Sequence, residues 1–137
     1  MLTQLAGYPV WMPGITDLAA LLAGLEPELR DGEWVYVDQL PTGVTPEATV
    51  RESEGWSYLI ARTDADANGL EYDFVAGWIE LRVHSALEAV GMTAAFAAAL
   101  TDIGAPANVI AGLRHDHILV PLDRVEDALR ALRSLAG

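Results

Sequence analysis

Two stretches of the chain, each of about 60 residues, carry the same order of predicted elements, namely a helix, two strands and a second helix. The first stretch begins at Asp17, and the second is preceded by one further strand. Strands that follow one another directly, with helices on either side, indicate an α+β fold. We therefore predict an α+β protein with an internal duplication, divided into halves at residues 1–73 and 74–137.

Leucines with helical spacing identify the first helix, Asp17–Leu25, with Thr16 or Asp17 as its cap. Asp31-Gly32 is typical of a turn, and the two prolines of segment 41–46 indicate a loop. An opening strand at residues 7–12 would be an edge strand because Pro9 cannot donate a hydrogen bond. The other predicted elements of this half are strands Trp34–Leu40 and Trp56–Arg62 and a short helix, Thr63–Gly69, capped by Thr63 or Asp64.

Strict alternation of apolar and polar residues predicts a strand at Gly77–Ser85, which opens the second half. An alanine-rich helix, Met92–Ile103, follows and ends at Gly104 and Pro106. The remaining predicted elements are strands Asn108–Leu113 and His117–Pro121, joined by a short turn, and a closing amphipathic helix at residues 125–135 capped by Asp123.

The charge of the chain limits its partners. The formal net charge is −12, with 20 acidic residues against 8 basic ones. Such a chain repels nucleic acid phosphates and anionic membrane surfaces. With 52% hydrophobic residues it can bury a sizeable core, but its longest apolar run, Ala89–Leu100, is shorter than the roughly 20 residues that span a bilayer. We expect no nucleic acid or membrane partner.

Cysteine is absent, which excludes disulfides, thiolate metal sites and cysteine nucleophiles. The first basic residue is Arg30, so the beginning of the sequence lacks the charged region of a signal peptide. No spacing of carboxylates calls for acid–base catalysis. We expect a cytoplasmic protein that is not an enzyme and holds no cofactor.

The segment between the Gly77–Ser85 strand and the alanine-rich helix is the most informative one. Ser85 and Glu88 have the spacing of a capping box, and Gly91 directly precedes the helix. A glycine there lets a ligand approach the main chain, and the first amides of the helix favour a carboxylate. The alternative is that Gly91 is only a turn residue and Thr93 only a cap.

This pattern resembles the ACT domain, particularly that of aspartate kinases, in the order of a strand, Gly91-Met92-Thr93, an alanine-rich helix, Gly104 and Asn108-Val109-Ile110. The stretches EGWSYLIA, VHSALEAVGMTAAFAAAL and ANVIAGLRHDHILVP resemble small stand-alone proteins with paired ACT domains, similar in arrangement to the arginine-sensing CASTOR proteins. The resemblance covers about residues 16–136. It implies tandem ferredoxin-like βαββαβ units whose antiparallel sheets are covered by helices on one face.

The resemblance also implies a regulatory protein, a homodimer in expectation, that binds an amino acid at the junction between ACT units. Asn108 matches the asparagine of the aspartate-kinase pattern, whereas His84-Ser85 replaces the usual acidic residue before the loop. Glu88 could then recognise the ligand ammonium group. The implied ligand-binding residues are Ser85, Glu88, Val90, Gly91, Met92, Thr93, Asn108, Val109 and Ile110.

Other readings stay open at this stage. A fold of this kind can also serve as a structural or partner-binding module without a ligand. His115 and His117 have the i, i+2 spacing of a metal chelate on a strand, but no third ligand is evident and we predict no metal. A row of ion pairs could form along one strand face from Glu80, Arg82 and His84.

Aromatic residues recur at every second position in two predicted strands and could form one cross-strand cluster, which would serve core packing or a dimer surface. They are Trp34, Tyr36, Trp56 and Tyr58.

Overall fold

The computed structural model describes residues 4–5, 8–9, 17–83 and 85–137. The helices are α1 Leu18–Ala23, α2 Arg62–Ala67, α3 Met92–Asp102 and α4 Val125–Arg133. The strands are β1 Gln4–Leu5, β2 Tyr8–Pro9, β3 Pro27–Val37, β4 Ala48–Glu52, β5 Gly55–Ala61, β6 Val75–Leu81, β7 Asn108–Ala111 and β8 Asp116–Pro121.

The described strands β3 to β8 form one six-stranded antiparallel sheet in the order β4-β5-β3-β6-β8-β7. Strand β3 of the first half and β6 of the second lie side by side in the middle, so the two halves share a sheet and do not build separate ones. The α+β class and the ferredoxin-like units are thus confirmed, with a single continuous sheet in place of two. The division at residue 73 stays a prediction.

The four α-helices of the described residues all lie on one face of the sheet, as predicted. Helices α1, α3 and α4 cover the β6–β8 side, where Phe96 and Leu132 pack with Ile79 and Ile118. Helix α2 covers the β3–β5 side through Ala65. The opposite face carries a second cluster with Trp34, Leu59, Trp78 and Leu119 at its centre, and these four side chains are also buried.

Strand β3 begins seven residues earlier than the predicted strand and passes through Asp31-Gly32, which the sequence had indicated as a turn. The register with β6 shifts between Arg30 and Trp34, and Gly32 adopts a φ of 111°. The Asp31-Gly32 dipeptide does mark a local irregularity of the backbone, but this irregularity is a β-bulge inside a strand and not a turn between strands. Because both arms of the bulge pair with β6, tertiary pairing overrides the local turn preference.

Strand β4 was not predicted. It is an edge strand with four of its five residues exposed, so it lacks the apolar alternation that identifies a half-buried strand. Of the predicted caps, Asp17 is confirmed, since its carboxylate accepts a hydrogen bond from the Ala20 amide at 3.2 Å. Asp123 was wrong as a cap because a 3₁₀ turn at residues 122–124 precedes α4. Thr63 and Asp64 were wrong because α2 already begins at Arg62.

The predicted aromatic cluster is divided between the two faces of the sheet. Trp34 and Tyr36 share a face with Leu59, whereas Tyr58 lies opposite Val37 on the helix-covered face. The missing partner of Trp34 is Trp78 of the second half, at a centroid distance of 5.2 Å in an edge-to-face arrangement. Of the predicted opening strand, Tyr8–Pro9 pairs with β1 in a separate two-stranded sheet, and residues 7 and 10–12 lie outside the described residues.

Candidate functional site

Gly91 is the N-cap of α3, at the position where the sequence predicted the binding loop. Its φ of 95° and ψ of −14° are left-handed, and no side chain caps the helix. The first turn contains no acidic residue, so the positive end of this 11-residue helix has no internal counter-charge among the described residues. The exposed side chains of Thr93 and Ala94 leave this end of the helix accessible.

Side chains around this helix start divide between core and solvent. Met92 is 3% exposed and packs in the core, so only its amide can face a ligand. A Cβ on Gly91 would lie 3.0 Å from Leu18 Cδ2, which places α1 directly beside the loop. Val90 is 82% exposed, and Glu88 is exposed as well.

The predicted capping box does not form in the described residues. Neither the Ser85 hydroxyl nor the Glu88 carboxylate forms a hydrogen bond with the backbone amide of the other residue, and the Ser85 amide donates to the carbonyl of Val83 at 3.0 Å. The turn instead closes through the Ala89 amide, which donates to the Ala86 carbonyl at 3.0 Å.

Within one chain, Asn108 and the α3 N-terminus lie on opposite faces of the sheet. Asn108 pairs in register with Leu119, and Ile110 with His117, so both point away from the helices. The Asn108 amide donates a long hydrogen bond of 3.5 Å to the Leu119 carbonyl. Val109 pairs with Ile118 and lies on the helix face. One chain therefore does not bring the two predicted segments into one site, and the binding site stays a prediction.

A second polar centre lies on the face opposite the helices. The Arg30 guanidinium lies 4.7 Å from the ring centroid of Trp34 and 4.5 Å from that of Trp78. Arg30 also forms a 2.7 Å ion pair with Glu47 of the long loop before β4. Sequence reasoning missed this group because it placed Arg30 before the strand. It joins both halves of the chain, and stacking between two rings keeps the guanidinium in place.

The two histidines considered as a metal pair form hydrogen bonds with different partners. Trp78 Nε1 donates to His117 Nδ1 at 3.0 Å, and since indole nitrogen only donates, this imidazole nitrogen is unprotonated. His115 is buried, and its Nδ1 must donate to the Val83 carbonyl oxygen, 3.1 Å away. Among the described residues no group of three His, Cys, Asp or Glu side chains could hold a metal ion.

Ionised groups form a row beside these histidines. Arg82 lies 3.7 Å from Glu80 and 3.6 Å from Glu28, as measured between nitrogen and carboxylate oxygen. His115 Nε2 has no hydrogen-bond partner in the described part of the chain, and the nearest carboxylate oxygen is Glu80 Oε1 at 4.0 Å. The predicted row of ion pairs thus exists for Glu80 and Arg82, whereas His84 lies outside the described residues.

We expect His117 to make folding pH-dependent. Burial, followed by the neighbouring charges of His115 and Arg30, lowers the pKa of His117 below 6.5, and Glu80 and Asp116 only partly oppose this shift. A lowered pKa in the folded state stabilises the fold at pH values above 6.5, and that contribution is lost as the pH falls toward the folded-state pKa. His117→Gln should therefore reduce the loss of unfolding free energy on acidification, as measured by urea titrations above pH 6.5 and about one unit below it.

The comparison must be made between parent and variant at each pH. Burial raises the pKa of Asp116 above 3.8, and this shift acts in the opposite sense, because its contribution is lost as the pH rises. Burial, the main cause of this shift, is common to both proteins, and only the smaller lowering by the charge of His117 is lost in the variant. An acid-induced loss of stability that is identical in parent and His117→Gln would contradict the role of His117.

Three cavities are lined by described residues. The largest, of about 540 Å³, lies between the β3 bulge and α2. Another of about 470 Å³ lies between residues 73–75 and 121–123, and one of about 280 Å³ between residues 37–39 and 69–71. None of the three is lined by residues 85–93 or 108–110. Nor is any helix in the described part of the chain long and apolar enough to cross a membrane.

Comparison with solved structures places the fold among known proteins. A protein of unknown function from Vibrio cholerae, described as a possible transport protein, is 41% identical, with a TM-score of 0.78 over 88% of this chain and 96% of that one. The ligand-free regulatory subunit of aspartate kinase from Thermus thermophilus has 11% identity and a TM-score of 0.62 over 80% of this chain and 95% of that one. A protein from Agobacterium tumefaciens has 14% identity and a TM-score of 0.61 over 82% and 89%.

The sequence itself matches the ACT domain twice, over residues 13–77 and residues 74–134. Comparison with the curated proteins gives no match. ACT domains are characteristically regulatory modules that bind small ligands. The two matches span nearly all of the described sheet, and both agree with the predicted resemblance. The chain belongs to the ACT domain family, of which it carries two domains in tandem.

Proposed function

We propose that the chain is a non-catalytic, cytoplasmic regulatory protein that binds a free amino acid at a junction between ACT units of a homodimer. The observation that carries this proposal is the open N-terminus of α3, where Gly91 is left-handed and neither a side-chain cap nor an acidic residue occupies the first turn. The amides of Met92, Thr93 and Ala94 then receive the ligand carboxylate. The Thr93 hydroxyl adds a hydrogen bond, and Glu88 binds the ammonium group.

Asn108 points to the face of the sheet opposite the α3 N-terminus, and this orientation supports a homodimer in the proposal. A ligand at α3 of one chain can meet Asn108 only if the asparagine comes from a second copy. Strand β7, which carries Asn108, pairs only with β8 in the described sheet and is its last strand. An exposed edge of this kind is available for pairing with another chain. Val109 and Ile110 would then contribute to the same junction.

Thermal unfolding in the presence of each of the twenty amino acids tests the proposal. A ligand that binds only the folded state, at a concentration 100 times its Kd, stabilises the protein by about 2.7 kcal/mol. We expect one amino acid or a small group of related ones to raise the melting temperature. If none does so at millimolar concentration, amino-acid binding loses its support.

Substitutions at the start of α3 locate the site. Thr93→Glu places a carboxylate beside the open amides, where it favours the helix and repels a ligand carboxylate. We expect a loss of affinity of at least about ten-fold, measured by titration calorimetry, without loss of stability. Ala98→Glu, an exposed site on the same helix, is the matched control and should bind as the parent does. Equal affinities for both variants would exclude this helix end.

Gly91→Val should impair binding more than Asn108→Ala because a branched side chain blocks the approach to the backbone. It also forces valine into a left-handed conformation and against Leu18, so the stability of this variant must be measured alongside its affinity. Asn108→Ala removes only an exposed amide with one long hydrogen bond. A parent-like affinity in Asn108→Ala, with a dimer still present, would remove Asn108 from the site.

A partner-binding module without a ligand is the second candidate. It is favoured by the burial of Met92 in the core. Under this reading no amino acid changes the melting temperature, and Thr93→Glu has no effect on any binding measurement.

A further inference from the structure

A cavity lined by described residues lies in the first half, away from α3. Strand β5 ends at Ala61, and from there the chain turns into α2, while β3 continues beyond it through the bulge. The space left between them, about 540 Å³, is of the size that holds a small metabolite. Its polar lining comes from Asp31, Glu33, Trp34, Arg62, Thr63 and Asp66.

Arg62 supplies a cationic group to this cavity. Its Nε donates to the Tyr72 hydroxyl at 2.9 Å, and its Nη1 lies 3.4 Å from both carboxylate oxygens of Glu33. These contacts fix the plane of the guanidinium. Its Nη2 makes no hydrogen bond in the described part of the chain, so a carboxylate could still bind there.

Trp34 supplies a second, independent sign of a missing acceptor. Its side chain is only 7% exposed, yet its indole N–H has no hydrogen-bond partner among the described residues. A buried donor without an acceptor is unfavourable, because it has lost its hydrogen bond to water and gained no other. The indole edge lies behind Gly32, where an added Cβ would be 3.3 Å from Cζ2 and 3.7 Å from Nε1. Both residues line the cavity, but the N–H itself is buried, so a ligand reaches it only if Gly32 moves aside.

Carboxylates outnumber the cation in the same cavity. Asp31 is exposed and makes no hydrogen bond or ion pair with any described residue. Asp66 accepts a hydrogen bond from the Tyr72 hydroxyl at 2.6 Å and lies 4.0 Å from Arg62. With Glu33, three acidic groups face one guanidinium, an excess of negative charge that favours a ligand carrying an ammonium group over a simple carboxylate or phosphate.

We propose that this cavity is a second ligand site, which binds the zwitterionic head group of an α-amino acid. The ligand carboxylate binds the Arg62 guanidinium and the Trp34 N–H, and the ammonium group binds Asp31 and Asp66. The site lies within one chain and requires no second copy. It is independent of the α3 site, and either site can exist without the other.

Amide NMR of the ¹⁵N-labelled full chain tests this site directly. The four tryptophans give four indole N–H signals, and Trp34→Phe identifies the one from Trp34. The probes are the twenty amino acids, each at millimolar concentration, followed by the N-acetyl and C-amide forms of any that binds. We expect saturable shifts of the Trp34 indole and the Gly32 amide, and loss of binding for both blocked forms.

Two substitutions and a matched control complete the test. Arg62→Gln and Asp31→Asn should each weaken binding about ten-fold, as expected for a charge-assisted hydrogen bond. Asp31 has no partner in the described residues, so its variant should fold normally. The control Arg51→Gln removes an exposed arginine whose one interaction with the described residues is with the Trp56 ring, at 6.0 Å from the ring centroid, and it should bind as the parent does.

The outcomes separate the two sites. Shifts confined to the amides of residues 91–94 would support the α3 site and overturn this one. Shifts confined to Trp34 and Gly32 would do the reverse. Parent-like affinity in both Arg62→Gln and Asp31→Asn, or equal binding of the blocked amino acids, would also overturn the proposal.

Discussion

Replacing Gly77 with valine is expected to lower the free energy of unfolding by about 3 kcal/mol or more, which is a large part of the 5–15 kcal/mol typical of a small domain. Gly77 is a buried residue in the middle of β6, where α4 packs on the central strands. A Cβ at this position would clash with Val125 Cγ2, well inside van der Waals contact. Rotation about χ1 does not move a Cβ, so valine cannot relieve this clash by changing rotamer, and its two γ-methyl groups need further space. Urea unfolding followed by circular dichroism measures the loss.

A double-mutant cycle identifies the clash as the cause. Gly77→Ala introduces the Cβ alone, and Val125→Ala removes the methyl group that it would meet. Because the two side chains compete for the same space, the double variant should be more stable than the sum of the single effects predicts. Purely additive effects would mean that Gly77 matters for some other reason than its contact with α4.

The second half of the fold was predictable because its signals are local. Helix α3 begins at Met92, as predicted from the alanine-rich run after Gly91, and ends within one residue of the predicted end. Strand β6 lies where a strand was predicted but spans Val75–Leu81 and not Gly77–Ser85, and it is buried on both faces except at its first residue and at Glu80. Helix α4 follows its leucine spacing, with one face buried and the other exposed, so its pattern of burial can be recognised in the sequence.

The first half was less predictable because its structure depends on long-range pairing. The Asp31-Gly32 dipeptide has the same local preference in a turn and in a bulge, and only the register with β6 decides between them. Strand β4 is held by its pairing with β5 and not by burial. A sequence pattern of a few residues specifies neither the register between distant strands nor the pairing partner of an edge strand.

One candidate site likewise follows from local sequence, whereas two others depend on long-range pairing. The left-handed Gly91 at the start of α3 follows from local sequence, and the structure has it there. The stacking of Arg30 between Trp34 and Trp78 needs the two halves to meet in one register, and the cavity beside Arg62 needs β5 to end where the bulge begins. The resemblance to the ACT domain predicted the first of these sites and gave no indication of the other two.

Trp78→Ala is expected to destabilise the protein by about 3–5 kcal/mol, the range for truncating a buried aromatic side chain. Trp78 is 4% exposed and lies at the centre of the face opposite the helices. The substitution removes three interactions together, namely the edge-to-face contact with Trp34, the stacking of Arg30 and the hydrogen bond to His117 Nδ1. Since Trp34 and Arg30 belong to the first half, we expect the loss to affect the unfolding of the whole chain in a single transition.

Two further variants separate these contributions in urea unfolding monitored by far-UV circular dichroism. Trp78→Phe keeps most of the ring contact but leaves His117 Nδ1 without its donor, so its destabilisation should be smaller, about 1–3 kcal/mol. Trp56→Ala removes a tryptophan that is 48% exposed and should change stability by about 1 kcal/mol or less. If Trp78→Ala were no more destabilising than Trp56→Ala, or if the two halves unfolded in separate transitions, the aromatic contact between β3 and β6 would not be what joins them.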